Sequence, residues 1–234
     1  WDKALALCRR YPGRIFCAWG FHPHHAAHLT DLHLENLRRH LAHAELVAIG
    51  EIGIDYAKSE ASPLVQKEAL RKLLELANQS GKPIILHCRE GRDGLRAQAG
   101  NAHDDLFNAL EKYWKPKKLD GLFSGVLHCF SGGLLEVERA ASFGLALGVD
   151  GPITSPKNNG LREAIFKAGL DQIVLETDSP FLPPHNIRGQ RNDPASVIEI
   201  AGQMALVFGV SASEIAHQTT RNACELFGLS KIVT

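Results

Sequence analysis

The sequence predicts an α/β fold of the TIM-barrel (β/α)8 type, and two observations support this. Six short apolar runs, rich in β-branched residues, alternate with stretches of helical periodicity. The runs are apolar on both faces, as is typical of parallel strands covered by helices. We therefore expect about six βα units, fewer than the eight of a closed barrel. Because no repeat or linker divides the chain, we expect a single domain over residues 1–234.

The apolar runs give the predicted strands in chain order. They lie at residues 14–20, 45–50, 82–88, 124–130, 144–151 and 172–178. The clearest helix is Pro63 to Ser80, where leucines recur at helical spacing between a capping Ser62 and a terminating Gly81. Further helices are predicted at 1–12, 31–43, 104–113, 133–142, 160–168 and 194–208, with a short pair near 213–217 and 219–227.

Composition limits the possible functions. Lys plus Arg and Asp plus Glu each total 26, so the formal net charge is zero. A protein that coats duplex DNA usually has a basic surplus, so any attraction for nucleic acid must come from a few arginines or bound cations. The sequence has no apolar run long enough for a membrane span and no signal-peptide pattern. Its five cysteines show no metal-knuckle spacing, and their odd number argues against a full disulfide framework, so we expect a reduced, cytoplasmic compartment.

Side chains that can bind metal stand at the ends of the predicted strands. They are Glu51, His87, His128, Glu176 and Asp178. Because the carboxyl ends of strands in a parallel barrel meet at one mouth, we expect these residues to be neighbours. Histidine and carboxylate groups are normal ligands of Zn, Mn and Mg. Taken singly, Glu51 could pair with an arginine, either histidine could be a hydrogen-bonded core residue, and the last two acids could cap the next loop. Their shared placement favours a metal site.

Strand alternation makes a further prediction for the two cysteines beside these histidines. His87 and Arg89 should point to one side of their strand and Cys88 to the other. By the same reasoning Cys129 should turn away from His128 and pack toward the helices. We therefore interpret both cysteines as structural.

Six motifs then stand in order along the chain: "GFHPH" (20–24), "AIGEIGIDY" (48–56), "PIILHCR" (83–89), "VLHCFSG" (126–132), "LETDSPFLPP" (175–184) and "RGQRNDP" (188–194). They resemble the motifs of the TatD-type metal-dependent deoxyribonucleases, and the resemblance covers essentially the whole chain. It implies a TIM-barrel hydrolase with one or two divalent metal ions, Mg, Mn or Zn. It also implies DNA as the substrate, cleaved as an exonuclease on single strands or ends.

The resemblance implies four metal ligands. Glu51 corresponds to the carboxylate that bridges the metals, and His87 and His128 correspond to histidine ligands. Asp178 corresponds to the acid that binds metal and positions the attacking water. Glu51 and Asp178 are therefore the predicted catalytic residues.

The resemblance also implies residues that contact the substrate. His22 matches a histidine that lines the site. Arg89, Arg188 and Asn192 stand where groups that face the phosphate are expected. The alternative for Arg188 and its neighbour Arg191 is a solvated loop.

The chain departs from the family pattern at its start, where a strand carrying Asp-x-His-x-His is expected. His22 and His24 could serve as a replacement pair, although their context matches another family motif. The chain given may be part of a longer protein, which we favour because a barrel without two strands exposes its core. Alternatively the protein is short, and a partner or swapped segment covers its open edges.

Two other functions stay open. The metal site could act on a small ester, lactone or amide, which the neutral charge would suit. The chain could also be an inactive, truncated barrel that serves as a binding module. No protein partner can be inferred.

Overall fold

The fold is described from a computed structural model, which covers residues 1–91, 100–115 and 123–229. The chain divides into two compact units. The first unit spans Trp1–Gly125 and the second begins at Val126. The predicted single domain over residues 1–234 stays a prediction.

Among its described residues, the first unit contains three parallel strands, and the longest lies in the middle. These are β1 (Cys17–Ala18), β2 (Leu46–Asp55) and β3 (Ile84–Arg89). β2 pairs with β1 on one side and with β3 on the other. The helices of this unit are α1 (Asp2–Arg10), α2 (Asp31–His40), α3 (Pro63–Ser80) and α4 (Ala102–Tyr113), with a 3₁₀ helix at Pro23–His28.

Helix α3 begins and ends where the sequence predicts. The Ser62 hydroxyl accepts a hydrogen bond from the Val65 amide at its N-terminus, and Gly81 adopts φ +67° after its last turn. Helix α3 packs on β2, and its buried residues include Leu70, Leu73, Leu74 and Ala77. Burial of each leucine contributes about 1.5–3 kcal/mol, so this helix anchors β2 firmly.

Strands β2 and β3 approach each other at positions that only glycine allows. A Cβ atom on Gly50 would lie 2.5 Å from the Cβ of Ile85. A Cβ atom on Gly53, which has φ +149°, would collide with the carbonyl oxygen of His87. The two glycines therefore bring the β2 segment that carries Glu51 against the β3 segment that carries His87.

The end of β3 is joined to the start of α4 through one carboxylate. Glu90 accepts hydrogen bonds from the backbone amides of Ala102 and His103, each at 2.9 Å. It also bonds the Nδ1 atom of His103 at 2.8 Å. A carboxylate at a helix N-terminus satisfies free amides and complements the helix dipole.

The second unit repeats the βα pattern. Its strands are β4 (Gly125–His128), whose first residue is the last of the first unit, β5 (Leu145–Val149) and β6 (Ile173–Leu175). β5 and β6 are parallel, and Phe130, just after β4, donates its amide to the Gly148 carbonyl of β5. The helices are α5 (Leu134–Ser142), α6 (Asn159–Ala168), α7 (Val197–Phe208) and α8 (Ala212–Phe227), with short 3₁₀ helices at 151–154, 170–172, 185–187 and 194–196.

The predicted bounds are wrong in two strands. β1 keeps only two residues of the predicted 14–20. Glu51 lies inside β2 and not beyond its end. The apolar run stops at Glu51, but backbone pairing continues because Ile52 and Ile54 are fully buried on either side of glycine.

The predicted pair of short C-terminal helices is a single helix. Ser211 and Glu214 form a capping box at the start of α8, and its buried face continues without a break. Thr219 and Asn222 lie on this buried face, and their side chains are hydrogen-bonded. Thr219 bonds the carbonyl of Ile215 one turn back, and Asn222 donates to two carbonyls near the start of β6.

Within the described residues, no single helix has the length and apolar character needed to cross a membrane. Helices α7 and α8 with the preceding 3₁₀ turn meet that test only when taken together, across a bend of 107°.

Candidate metal centres and active-site residues

In the first unit, His87 of β3 is held by a buried carboxylate. Its Nε2 atom lies 3.0 Å from Oδ2 of Asp55, the last residue of β2, whose side chain is 0% exposed. The Asp55 Oδ1 atom accepts from the amides of Ala57 and Lys58 at 2.8 and 2.6 Å. Burial acts to raise the pKa of Asp55, but the hydrogen bonds from His87 and these neighbours outweigh it, and the pKa lies well below its usual range.

The ionised Asp55 fixes which nitrogen of His87 can bind a ligand. Because the carboxylate only accepts, the Nε2 atom of His87 must carry the proton. Its Nδ1 atom then has a lone pair, and it lies 3.8 Å from Oε2 of Glu51. A carboxylate behind a histidine that faces a second acid is the arrangement commonly found around protein-bound metals.

His22 also lies beside Glu51, but it directs a protonated ring nitrogen at this carboxylate, whereas His87 directs a lone pair. Its Nδ1 atom accepts the backbone amide of His24 at 3.2 Å, so in a neutral ring the proton is on Nε2. Burial, followed by the nearby His87 and His24, lowers the pKa of His22 to about 3, so the ring is neutral at pH 7. Nε2 lies 3.6 Å from Oε2 of Glu51, toward which it can donate.

His22, Glu51 and His87 offer ligand atoms within 4.8 Å of one another. Imidazole and carboxylate suit Zn and Mn. Glu51 and His87 fit a divalent cation as they stand. His22 fits less well, because its Nε2 atom could act as a ligand only if the bond from the His24 amide were broken.

His24 bonds the carboxylate that also holds His87. Its Nε2 atom bonds Oδ2 of Asp55 at 2.9 Å, so one carboxylate oxygen serves both His24 and His87. The first turn of the Pro23–His28 helix thus bonds the carboxylate that supports His87. The replacement pair of His22 and His24 considered from the sequence stays a prediction.

In the second unit, His128 at the end of β4 is held in the same manner by Glu176. The Nδ1 atom of His128 lies 2.8 Å from Oε2 of Glu176, and Oε1 accepts the amide of Cys129 at 2.5 Å. The Nε2 atom of His128 faces Oδ1 of Asp178 at 3.5 Å. His128 and Asp178, both predicted as ligands, are therefore brought together.

Cys129 does not turn away from His128, which corrects the sequence-based interpretation. Its sulfur lies 3.3 Å from Nε2 of His128. Strand alternation ends with β4 at His128, and Cys129 adopts φ +47°, which returns its side chain to the histidine. Burial, followed by the charge of Glu176, raises the pKa of the thiol well above its usual range.

His128, Cys129 and Glu176 also have ligand atoms within 4.8 Å. They do not form a coherent ligand set, however. Glu176 bonds the Nδ1 side of the ring and the Cys129 amide, while the sulfur lies at the Nε2 side. The facing pair His128 and Asp178 fits a divalent cation better.

Asp150, just after β5, is an acid that the sequence analysis missed. It is 2% exposed, and its Oδ2 atom has no hydrogen-bond partner. Burial, followed by the charge of Glu176, raises its pKa to about 7. The signal was present, since Asp150 follows an apolar run just as Glu51 does. Asp55, four residues after Glu51, was missed in the same way.

The residues predicted to contact substrate occupy different environments. Arg89 at the end of β3 and Arg188 after the 185–187 turn are exposed. Asn192 is 2% exposed and donates its side-chain amide to the carbonyls of Thr177 and Phe181, each at 2.7 Å. Asn192 therefore holds the loop that carries Asp178, and its predicted substrate contact stays a prediction.

The chain is similar to known proteins over nearly its whole length. The profile of the family described as TatD related DNase matches residues 1–228. A protein named 3'-5' ssDNA/RNA exonuclease TatD, from Erwinia tasmaniensis, is 36% identical over 233 residues, covering 97% of this chain and 84% of the relative. The uncharacterized metal-dependent hydrolase YabD of Bacillus subtilis is 32% identical over 228 residues, covering 97% and 83%.

Solved structures extend the comparison. A TatD homologue of Escherichia coli, YjjV, superposes with a TM-score of 0.81 at 31% identity, covering 97% of this chain and 82% of that chain. An uncharacterized amidohydrolase of Saccharomyces cerevisiae reaches a TM-score of 0.78 at 15% identity, which supports the fold alone. The predicted α/β fold of TIM-barrel type is confirmed, with six strands in the part of the chain that the structure describes.

Proposed function

Since the chain belongs to the TatD related DNase family of metal-dependent hydrolases, we propose that it cleaves phosphodiester bonds of single-stranded DNA as an exonuclease. One observation carries the proposal. Two histidines each have one ring nitrogen bonded to a supporting carboxylate and the other directed at a second carboxylate. This arrangement prepares an imidazole lone pair and an acid for a cation in both units.

The proposal assigns metal binding to Glu51 and His87 in the first unit and to His128 and Asp178 in the second. The cation would be Mg, Mn or Zn, one or two in number. When bound, it would lower the pKa of water and offset the negative charge of the phosphodiester. The net charge of zero suits this arrangement, because local cations attract the phosphate backbone where a basic surface is lacking.

The protein's own groups would carry the remaining steps. Asp178 accepts the proton of the attacking water. The protonated Nε2 of His22 donates a hydrogen bond to a phosphate oxygen. Arg89 and Arg188 present planar guanidinium groups that can bind two phosphate oxygens at once.

Charge-removing substitutions test the mechanism. Glu51→Gln and Asp178→Asn should each reduce cleavage of a 3'-labelled single-stranded oligonucleotide in Mg²⁺ or Mn²⁺ by about 100-fold or more. Matched controls are Glu111→Gln and Asp171→Asn, which alter exposed acids in each unit and should leave the rate unchanged. Unchanged cleavage by both site variants would overturn the mechanism.

The alternative of a small ester, lactone or amide substrate is favoured by the neutral charge and by the relative named only as a metal-dependent hydrolase. Competition distinguishes the two activities. If the protein hydrolyses p-nitrophenyl acetate and oligonucleotides neither bind nor inhibit at low salt, the nuclease proposal fails. If elemental analysis finds no metal and added Mg²⁺ or Mn²⁺ restores no hydrolysis, the inactive binding module is supported instead.

A further inference from the structure

The turn after Asp178 presents a large apolar ring to solvent. Phe181 is 66% exposed, and Leu182 beside it is 39% exposed. A single exposed apolar residue is ordinary on a protein surface. What sets Phe181 apart is its location, three residues from a predicted catalytic acid, and the way its backbone is held.

The backbone of Phe181 is fixed on both sides of the ring. Its amide donates to the carbonyl of Asp178 at 2.7 Å, and its carbonyl accepts from the side chain of Asn192 at 2.7 Å. Asn192, itself buried, also bonds the Thr177 carbonyl through its side chain and the Pro180 carbonyl through its amide. The same asparagine thus bonds the backbone on both sides of Asp178 and at Phe181, so it ties the acid and the exposed ring to one turn.

A second exposed phenylalanine shows the contrast. Phe166 on α6 is 59% exposed, but its ring packs against Phe208 with a centroid distance of 5.6 Å. Phe166 has a partner within its own unit and lies on a helix, outside the loop of Asp178. It therefore serves as an internal reference for Phe181.

We propose that Phe181 is a stacking platform for a nucleobase next to the phosphodiester that Asp178 acts on. This rests on the proposed nuclease function and names the feature of the substrate that is recognised. Three residues of chain reach at most about 10 Å, so the base adjoining the scissile phosphate lies within range of the ring. Asp178 and Phe181 would then contact neighbouring parts of one nucleotide.

The chemistry of the ring predicts the kind of substrate. A phenyl ring has no hydrogen-bonding group, so it accepts any base through its π face and reads no sequence. In a duplex both faces of an interior base are covered by its neighbours. Phe181 therefore favours single strands and frayed ends over paired DNA.

The test is a double-mutant cycle that removes the ring of Phe181 from the protein and one base from the substrate. Wild type and Phe181→Ala are compared on an oligothymidylate and on the same oligomer with an abasic nucleotide placed at each position in turn. We expect Phe181→Ala to raise KM on the intact oligomer by about 5- to 100-fold, as loss of one stacked base does. On the oligomer abasic at the stacked position, the two proteins should have the same KM.

Two further variants keep the result interpretable. Phe181→Trp should retain the wild-type KM, because it restores a stacking surface, and Phe166→Ala should leave KM unchanged. An equal loss on intact and abasic oligomers would mean that the substitution merely disturbs the loop, and it would overturn the stacking role.

A measurement of oligonucleotide binding distinguishes failure of this proposal from failure of the nuclease proposal. Fluorescence anisotropy with a labelled oligothymidylate should show the same ring and base dependence even where no cleavage occurs. If wild type binds but does not cleave, the nuclease function fails while the platform stands. If Phe181→Ala binds as tightly as wild type, or neither binds, the platform is refuted.

Discussion

A carboxylate holds His87 in the first unit and another holds His128 in the second, but the two ring nitrogens have exchanged roles. His87 bonds its supporting carboxylate through Nε2 at 3.0 Å and faces Glu51 with Nδ1 at 3.8 Å. His128 bonds its support through Nδ1 at 2.8 Å and faces Asp178 with Nε2 at 3.5 Å. Two different sequence contexts thus arrive at the same carboxylate–imidazole–carboxylate chain.

The supports themselves are anchored differently. Asp55 is fully buried and is fixed by hydrogen bonds from two imidazoles and two backbone amides. Glu176 accepts from His128 and the Cys129 amide, and it fits only because Gly148 lacks a side chain. Asp55 is thus held mainly by its hydrogen bonds, whereas Glu176 also depends on the room that Gly148 leaves. Substitutions at the two carboxylates should therefore have different effects.

The largest effect is expected at Asp55. Asp55→Asn keeps the shape but turns one acceptor into a donor, which leaves buried donors facing each other. We expect a loss of about 1–3 kcal/mol in the free energy of unfolding and a loss of about 10- to 100-fold in metal affinity. Urea unfolding and calorimetric titration with Mn²⁺ measure the two. Wild-type metal affinity would show that Asp55 does not support His87.

Glu176→Gln should separate the two effects. The metal affinity should again fall about 10- to 100-fold, because the orientation of His128 is lost. The unfolding free energy should fall less than in Asp55→Asn, since fewer buried bonds are broken. Glu138→Gln on the exposed face of α5 is the matched control for titration and unfolding. An equal loss of stability at Asp55 and Glu176 would remove the contrast between the supports.

Gly148→Ala tests directly whether Glu176 needs the room beside Gly148. Its added Cβ would lie 2.6 Å from the Glu176 carboxylate, so the support must shift. We expect a loss of about 3- to 10-fold in metal affinity, a fraction of the loss seen when such a support is removed. Gly202→Ala in α7 meets nothing within 4 Å and should stabilise the helix by about 0.5–1 kcal/mol. Unchanged affinity in Gly148→Ala would show that Glu176 has room to spare.

The smallest effect is expected at a third carboxylate–histidine pair, Glu90 and His103, which caps a helix. Glu90→Gln should lower the unfolding free energy by about 0.5–2 kcal/mol and leave metal affinity unchanged. Burial acts to raise the pKa of Glu90, but bonds from the Ala102 and His103 amides outweigh it and the pKa falls below its usual 4.5.

The sign of that shift sets the pH dependence. Because the pKa of Glu90 is lower in the folded protein than in the unfolded chain, ionised Glu90 stabilises the fold at any pH above the unfolded-state pKa. This stabilisation is lost as the pH falls through the folded-state pKa. The difference between wild type and Glu90→Gln should therefore be constant near neutral pH and shrink below about pH 4.5. Urea unfolding at a series of pH values measures it, and a difference that grows in acid would contradict the assignment.

Local signals explain what the sequence could predict. Helix α3 was predicted within its true bounds because Ser62, Pro63 and Gly81 mark both ends chemically. His87 and Glu51 were predicted as neighbours, and the structure places them together, because metal-binding residue types recur beside apolar strands.

Long-range pairing explains what the sequence could not predict. Nothing near Asp55 in the chain indicates that it serves His24 and His87, which lie 31 and 32 residues away. The inward turn of Cys129 depends on a positive φ, which the strand pattern does not encode. The bonds of Asn192 to the Asp178 loop likewise join residues that come together only once the chain has folded.

The Glu90 cap has a consequence for how this protein can change. One carboxylate ties the end of β3 to the first turn of α4, so the start of this helix is held beside the strand that carries His87. The support of His87 itself comes from Asp55 on the neighbouring strand β2. A residue change at Glu90 can therefore alter the start of α4 while the hydrogen bond that orients His87 is kept.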